Sequence, residues 1–91
     1  MLEIHYTTKF KKDYKKASKQ GKNLRKINRI IEGYLSLEKP LPAKYKDHSL
    51  GNNWKGYREC HVEPDWLLIY QINDDGLQLT RTGSHSELFQ I

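Results

Sequence analysis

The chain has 91 residues, 36% of them apolar and 11% aromatic, which is enough for one modest core and too short for two, so a single domain over residues 1–91 is expected. No stretch approaches the ~20 consecutive apolar residues of a membrane helix, Met1-Leu2-Glu3-Ile4-His5 lacks the charged-then-apolar layout of an export signal, and the lone Cys60 excludes an intrachain disulfide and a thiol-based zinc cluster; a cytoplasmic protein is expected, with no membrane partner. The net charge of +5 is unevenly spread, with 13 basic and 4 acidic residues over 1–46 against 3 and 7 over 47–91, so the basic surface belongs to the first half and suits either a nucleic acid or an acidic protein.

Leu2 to Tyr6 alternates apolar with polar and predicts a strand that ends at Thr7-Thr8, two residues able to cap a helix. Phe10, Tyr14 and Ala17 then form one narrow apolar stripe among six lysines, and Gly21 ends that helix. A second helix starts at Asn23 and places Leu24, Ile27, Ile30, Ile31, Tyr34 and Leu35 on one face; Pro40-Leu41-Pro42 stops it. Two helices joined by so short a turn form an antiparallel hairpin whose apolar stripes need a sheet to cover them. A long loop follows Pro42 to about Asn53, and loops of this length in small domains tend to carry function, which directs attention to Lys44, Tyr45, Lys46, Asp47 and His48.

Three strands are predicted over 54–62, 66–72 and 77–82, joined by turns at Pro64-Asp65 and at Asn73-Asp74-Asp75-Gly76. The middle strand is apolar on both parities and belongs at the centre of the sheet. Ser84-His85-Ser86-Glu87 matches a capping box and predicts one closing helical turn with Leu88 and Phe89. The expected fold is α+β, β-α-α-β-β-β: a two-helix hairpin on a mainly antiparallel four-stranded sheet, with a short C-terminal helical turn.

His48, His61 and His85 fall at or near element ends in the second half, with Asp65 in the turn after His61. Imidazole's pKa of ~6.5 lets one ring accept a proton and another donate one near neutrality. That pair of acts is what cleavage of RNA through its own 2′-hydroxyl requires, and no metal or other cofactor is needed for it. The planar fork of Arg81 would stabilise the extra charge of the pentacoordinate phosphate. Trp66, Phe89 and Lys46 are candidate substrate contacts. Each has a plainer reading: a solvent-facing or loop histidine, a turn aspartate, a partly buried structural arginine, a core tryptophan, a core phenylalanine. Cys60 alternates with Arg58 and Val62 and reads as a small core residue. A metal site from His48, His61, Asp65 and His85 is disfavoured, because Pro64 denies His61 and Asp65 a shared helix face.

Leu41-Pro42, Tyr45-Lys46-Asp47-His48, Trp54-Lys55-Gly56-Tyr57-Arg58, His61-Val62-Glu63-Pro64-Asp65-Trp66, Leu68-Ile69-Tyr70 and Arg81-Thr82-Gly83-Ser84-His85 together resemble the YafQ-type endoribonuclease toxins of the RelE/ParE superfamily over almost the whole chain. The resemblance implies a RelE-like fold, ribosome-dependent cleavage of translated messenger RNA, contacts with ribosomal RNA, and neutralisation by a cognate antitoxin. By position it implies that His48, His61, Asp65 and His85 are catalytic, with His85 the proton donor, and that Trp66, Arg81 and Phe89 support them. Leu50-Gly51-Asn52-Asn53 departs from the family pattern by placing its glycine early. Two alternatives stand beside this reading: a ParE-like toxin that inhibits a DNA topoisomerase without catalysis, and a noncatalytic RNA-binding module.

Overall fold

The computed structural model describes residues 1–89. In chain order it contains strand β1 (Ile4–Tyr6), helices α1 (Thr8–Lys19) and α2 (Leu24–Ile30), strands β2 (His48–Ser49), β3 (Arg58–Glu63), β4 (Trp66–Asn73) and β5 (Gly76–Gly83), and the short helix α3 (His85–Phe89). The helix starts follow their caps: the Thr7 hydroxyl accepts from the Phe10 N–H at 2.9 Å and donates to the Thr80 carbonyl at 2.7 Å, and Asn23 accepts from the Arg25 N–H at 3.1 Å. One hydroxyl thereby both starts α1 and ties it to β5. The second helix departs from the uniform helix predicted, since Ile31–Leu35 continues α2 as a wide π turn.

The sheet has five strands in the order β1-β5-β4-β3-β2. All neighbours are antiparallel except β1 and β5, which are parallel. The additional strand is β2, two residues of the region expected to be loop, which pairs His48 with Glu59 and Ser49 with Arg58. The strand expected to begin at Trp54 begins at Arg58 instead. Asn52–Trp54 forms a 3-10 turn, Gly56 takes φ +93°, and the Leu50 N–H closes the excursion on the Tyr57 carbonyl at 2.9 Å.

β4 is central and buried on both faces, as its double-parity apolar pattern requires. Trp66, Leu68 and Tyr70 join Cys60, Val62, Leu77 and Leu79 under the helices, against Phe10, Ala17, Ile27, Ile30, Ile31 and Leu35. Leu67 and Ile69 point to the other face, where Leu88 covers them together with the partly buried Leu50, Trp54, Tyr57 and Phe89. α3 is held by the expected box: the Ser84 N–H donates to Glu87 Oε1 at 2.8 Å and the Glu87 N–H to Ser84 Oγ at 3.2 Å. No helix among the described residues is long and apolar enough to cross a membrane.

Candidate active site

Side chains alternate along a strand, so with Cys60 and Val62 turned to the helices, Glu59 and His61 of β3 turn to the opposite face. The pairing of His48 with Glu59 brings His48 to that face as well. His85, at the start of α3, comes beside them because the β3–β4 turn carries its anchor: Asp65 Oδ1 accepts from the His85 backbone N–H at 3.0 Å and from its ring Nδ1 at 2.7 Å. These two bonds, the backbone one first, hold the Asp65 carboxyl below the usual carboxylate range. With Nδ1 committed to Asp65, Nε2 of His85 is the atom free for proton transfer.

The ring centroids of His61 and His85 lie 5.8 Å apart and those of His48 and His61 6.3 Å apart. The His48 ring is fixed by Nδ1 donating to the Lys46 carbonyl at 2.7 Å. Oε1 of Glu59 stands 3.4 Å from Nε2 of His48 and 3.7 Å from Nε2 of His61. The result is one continuous array, Asp65–His85–His61–Glu59–His48, along one edge of the sheet. Glu59 is 5% exposed, the two outer imidazoles are 40% and 49% exposed at the side chain, and His61 is 20% exposed. A buried carboxylate thus sits beneath rings that are open to solvent.

Four of the five residues read from the sequence as catalytic are therefore gathered together: His48, His61, Asp65 and His85. Arg81 is placed differently. Its Nε and Nη2 donate to Asp13 of α1 at 2.6 and 3.1 Å, and the Thr82 N–H donates to the same carboxylate at 3.1 Å. Asp13 raises the Arg81 guanidinium above its ordinary value, so the fork stays charged while most of it is occupied. Trp66 is 1% exposed and donates through Nε1 to the Thr82 hydroxyl at 2.9 Å. Its ring belongs to the core and offers no open face to a base, which answers in favour of the plainer of its two readings. Phe89 packs edge-on to Trp54 at 6.2 Å over Leu67 and Ile69. Lys46 is exposed, in the left-handed conformation at φ +50°, and its carbonyl orients His48.

Glu59 is the member of this array that the sequence does not single out. Its signal was parity, since it stands two residues before His61 and so shares its face. Asp47 lies in the loop to which the sequence directs attention. Its carboxylate takes the Tyr70 hydroxyl at 2.5 Å and Arg58 at 3.0 and 3.3 Å, which anchors the segment that delivers His48. Cys60 is fully buried, and burial first, then the charges of Asp47 and Glu59, push its thiol up, which suits a core residue and not a nucleophile.

Glu59, His61 and His85 each offer one ligand atom within 4.8 Å of the others, so this trio has the chemistry to hold a divalent ion. It differs from the set weighed in the sequence by exchanging Asp65 for the buried Glu59.

Residues 2–90 match the family described as the bacterial toxin of type II toxin-antitoxin system, YafQ. The chain is 47% identical over 87 residues, spanning 96% of its own length and 95% of the relative's, to the mRNA interferase toxin YafQ of Escherichia coli (strain B / BL21-DE3). Its fold is similar to a crystal structure of the E. coli DinJ-YafQ complex, with a TM-score of 0.88 and 46% identity over 98% of this chain and 99% of that one. It is similar also to a metal-bound toxin from Helicobacter pylori, with a TM-score of 0.89 and 48% identity over 98% of this chain and all of that one.

Proposed function

The chain belongs to the YafQ family of bacterial type II toxin-antitoxin toxins, and from that premise we propose that it is an endoribonuclease that cuts messenger RNA on the translating ribosome and is neutralised by a cognate antitoxin. The observation that carries this reading is the array of three imidazoles along one sheet edge, with Asp65 bonded to the outer His85 and Glu59 between His61 and His48. RNA supplies its own nucleophile, so the protein needs a proton acceptor, a proton donor and positive charge, with no covalent intermediate.

His85 is suited to donate. A carboxylate on Nδ1 stabilises the imidazolium and points the Nε2 proton outward, toward the leaving 5′-oxygen. One ring of the His48–His61 pair accepts the 2′-proton. Glu59 lies between these rings, where its charge favours the imidazolium that forms when the proton arrives. Negative charge on the phosphorane meets the imidazoliums, Lys46 at the rim, and the part of the Arg81 fork that Asp13 leaves free. Phe89 and Trp54 supply an aromatic wall beside the site.

The test is cleavage of a defined message in a purified translation system. The products should carry 2′,3′-cyclic or 3′-phosphate ends and a free 5′-hydroxyl, and should form in the presence of a chelator. A His85→Gln variant should lose ~10²–10⁴-fold in rate. Unchanged cleavage by that variant would remove His85 from the mechanism. Intact messages accompanied by topoisomerase inhibition would replace the nuclease with the ParE-like alternative, and salt-sensitive RNA binding without products would replace it with the binding module.

A further inference from the structure

A cleft of about 630 Å³ opens on the α2 side of His61, between α2, the turn at Ala43–Tyr45 and the end of β3. Its walls include Arg25, Lys26, Arg29, Lys44, Lys46 and Glu63. Glu63 is the one carboxylate among the lining residues, and Lys26 neutralises it at 2.7 Å. Among the described residues, Arg25, Arg29, Lys44 and Lys46 enter no ion pair. All four are exposed, and they face one hollow from two walls.

Four like charges around one space raise its positive potential and favour an anion between them; Lys44 also lies over the Tyr45 ring, 5.1 Å from its centroid. Arg25 and Arg29 are spaced i, i+4 on α2, which sets their Cβ atoms ~5–6 Å apart on one face. Their planar forks match phosphate oxygens two at a time, while Lys44 and Lys46 provide point charges opposite. His61 belongs both to the cleft lining and to the imidazole array, so the cleft opens directly from the reacting centre. Of the α1 lysines, which have the same sign, Lys11 lines a separate hollow beside Tyr6, Tyr14 and Glu32 whose walls hold no histidine, and Lys16 is already paired with Glu87 at 2.6 Å.

Resting on the nuclease reading above, we propose that this cleft seats backbone phosphates of the message strand next to the cut, with Arg25 and Arg29 as the principal contacts. The cleft then sets which way the strand runs past the histidines, and the α1 lysines contribute only diffuse attraction.

The test uses the intact purified chain and a labelled RNA oligonucleotide with every 2′-hydroxyl methylated, which cannot be cut. Binding is followed by fluorescence anisotropy across a salt series. For a single strand the slope of log K against log salt is about −0.7 per neutralised phosphate, so an Arg25→Gln/Arg29→Gln pair should make it shallower by about 1.4. A Lys12→Gln/Lys15→Gln pair on α1 should change it far less, and circular dichroism should show both variants folded. Equal changes from the two pairs, or none from the arginine pair, would overturn the proposal.

A second arm measures cleavage on programmed ribosomes of a message whose linkages flanking the cut are neutral methylphosphonates. The arginine pair should slow cleavage of the ordinary message and add nothing on the neutral one. A loss that persists on the neutral message assigns the arginines to ribosomal RNA, and a loss confined to antitoxin affinity assigns them to that protein; either overturns the proposal. A chain that binds as expected yet never cuts removes the nuclease reading alone, and normal cutting with an unaltered salt slope removes the cleft alone.

Discussion

Asp47→Ala is expected to destabilise the protein by about 2–3 kcal/mol, because it orphans a buried hydroxyl. Tyr70 is 2% exposed and its hydroxyl donates to Asp47 Oδ1 at 2.5 Å. Burial first, and then the Asp47 hydrogen bond and charge, push that hydroxyl's pKa up, so it cannot escape by ionising. Leaving it without an acceptor costs ~1–3 kcal/mol. Arg58 also loses its partner, but its side chain is 43% exposed and rehydrates, which adds only ~0–1 kcal/mol. The middle of the summed range, about 2–3 kcal/mol, lowers Tm by ~8–24 °C for a chain of this length. Urea unfolding followed by tryptophan fluorescence measures the change, and a Tyr70→Phe background isolates its cause. Without the hydroxyl, Asp47→Ala should cost less than ~1 kcal/mol, a coupling of ~1–2 kcal/mol. Equal costs in the two backgrounds would refute the reasoning. The loss is local to the segment that carries His48, so cleavage should fall more steeply with temperature than it does in the wild type.

Two further outcomes follow from the packing. A Cβ on Gly76, at φ +126°, would lie 2.3 Å from the Glu3 carbonyl oxygen, the acceptor of the Leu77 N–H at 2.8 Å; Gly76→Ala should cost ~1–3 kcal/mol and abolish hydrogen-exchange protection of Leu77, and retained protection would contradict it. Glu87 is held down to about 2, first by the Lys16 ammonium and then by the Ser84 N–H. Because its folded value is depressed from 4.5, its contribution is complete above about pH 4.5 and is lost as pH falls toward 2. Glu87→Gln should therefore cost ~1 kcal/mol at pH 7 and almost nothing at pH 2, and a gap independent of pH would exclude the ion pair as its source.

Much of this molecule is legible in one dimension. The cap at Thr7, the break at Gly21, the Ser84–Glu87 box and the two-sided apolar run of β4 all act over a few residues, and the structure realises each of them; the second helix, expected to run to Pro40, ends at Leu35, where Glu38 at φ +57° turns the chain. Short irregular pieces were harder. Residues 54–57 have the apolar content of a strand, but Gly56 and the Leu50–Tyr57 closure turn them into a covering loop. β2 is only two residues long, so no period could announce it.

The sequence alone determined which residue types were present for proton transfer and, through strand parity, that His61 turns away from the core side of Cys60 and Val62. Tertiary structure decided what those residues face. The β2–β3 register set Glu59 between two imidazoles, Asp13 engaged Arg81 across 68 positions, and the Thr82 hydroxyl accepted the indole N–H that let Trp66 sink into the core. Periodicity reports the direction of a side chain relative to its own strand or helix. The partner a charge or a polar hydrogen finds depends on how distant elements pack, because an unpaired buried polar group costs more than local preference can supply.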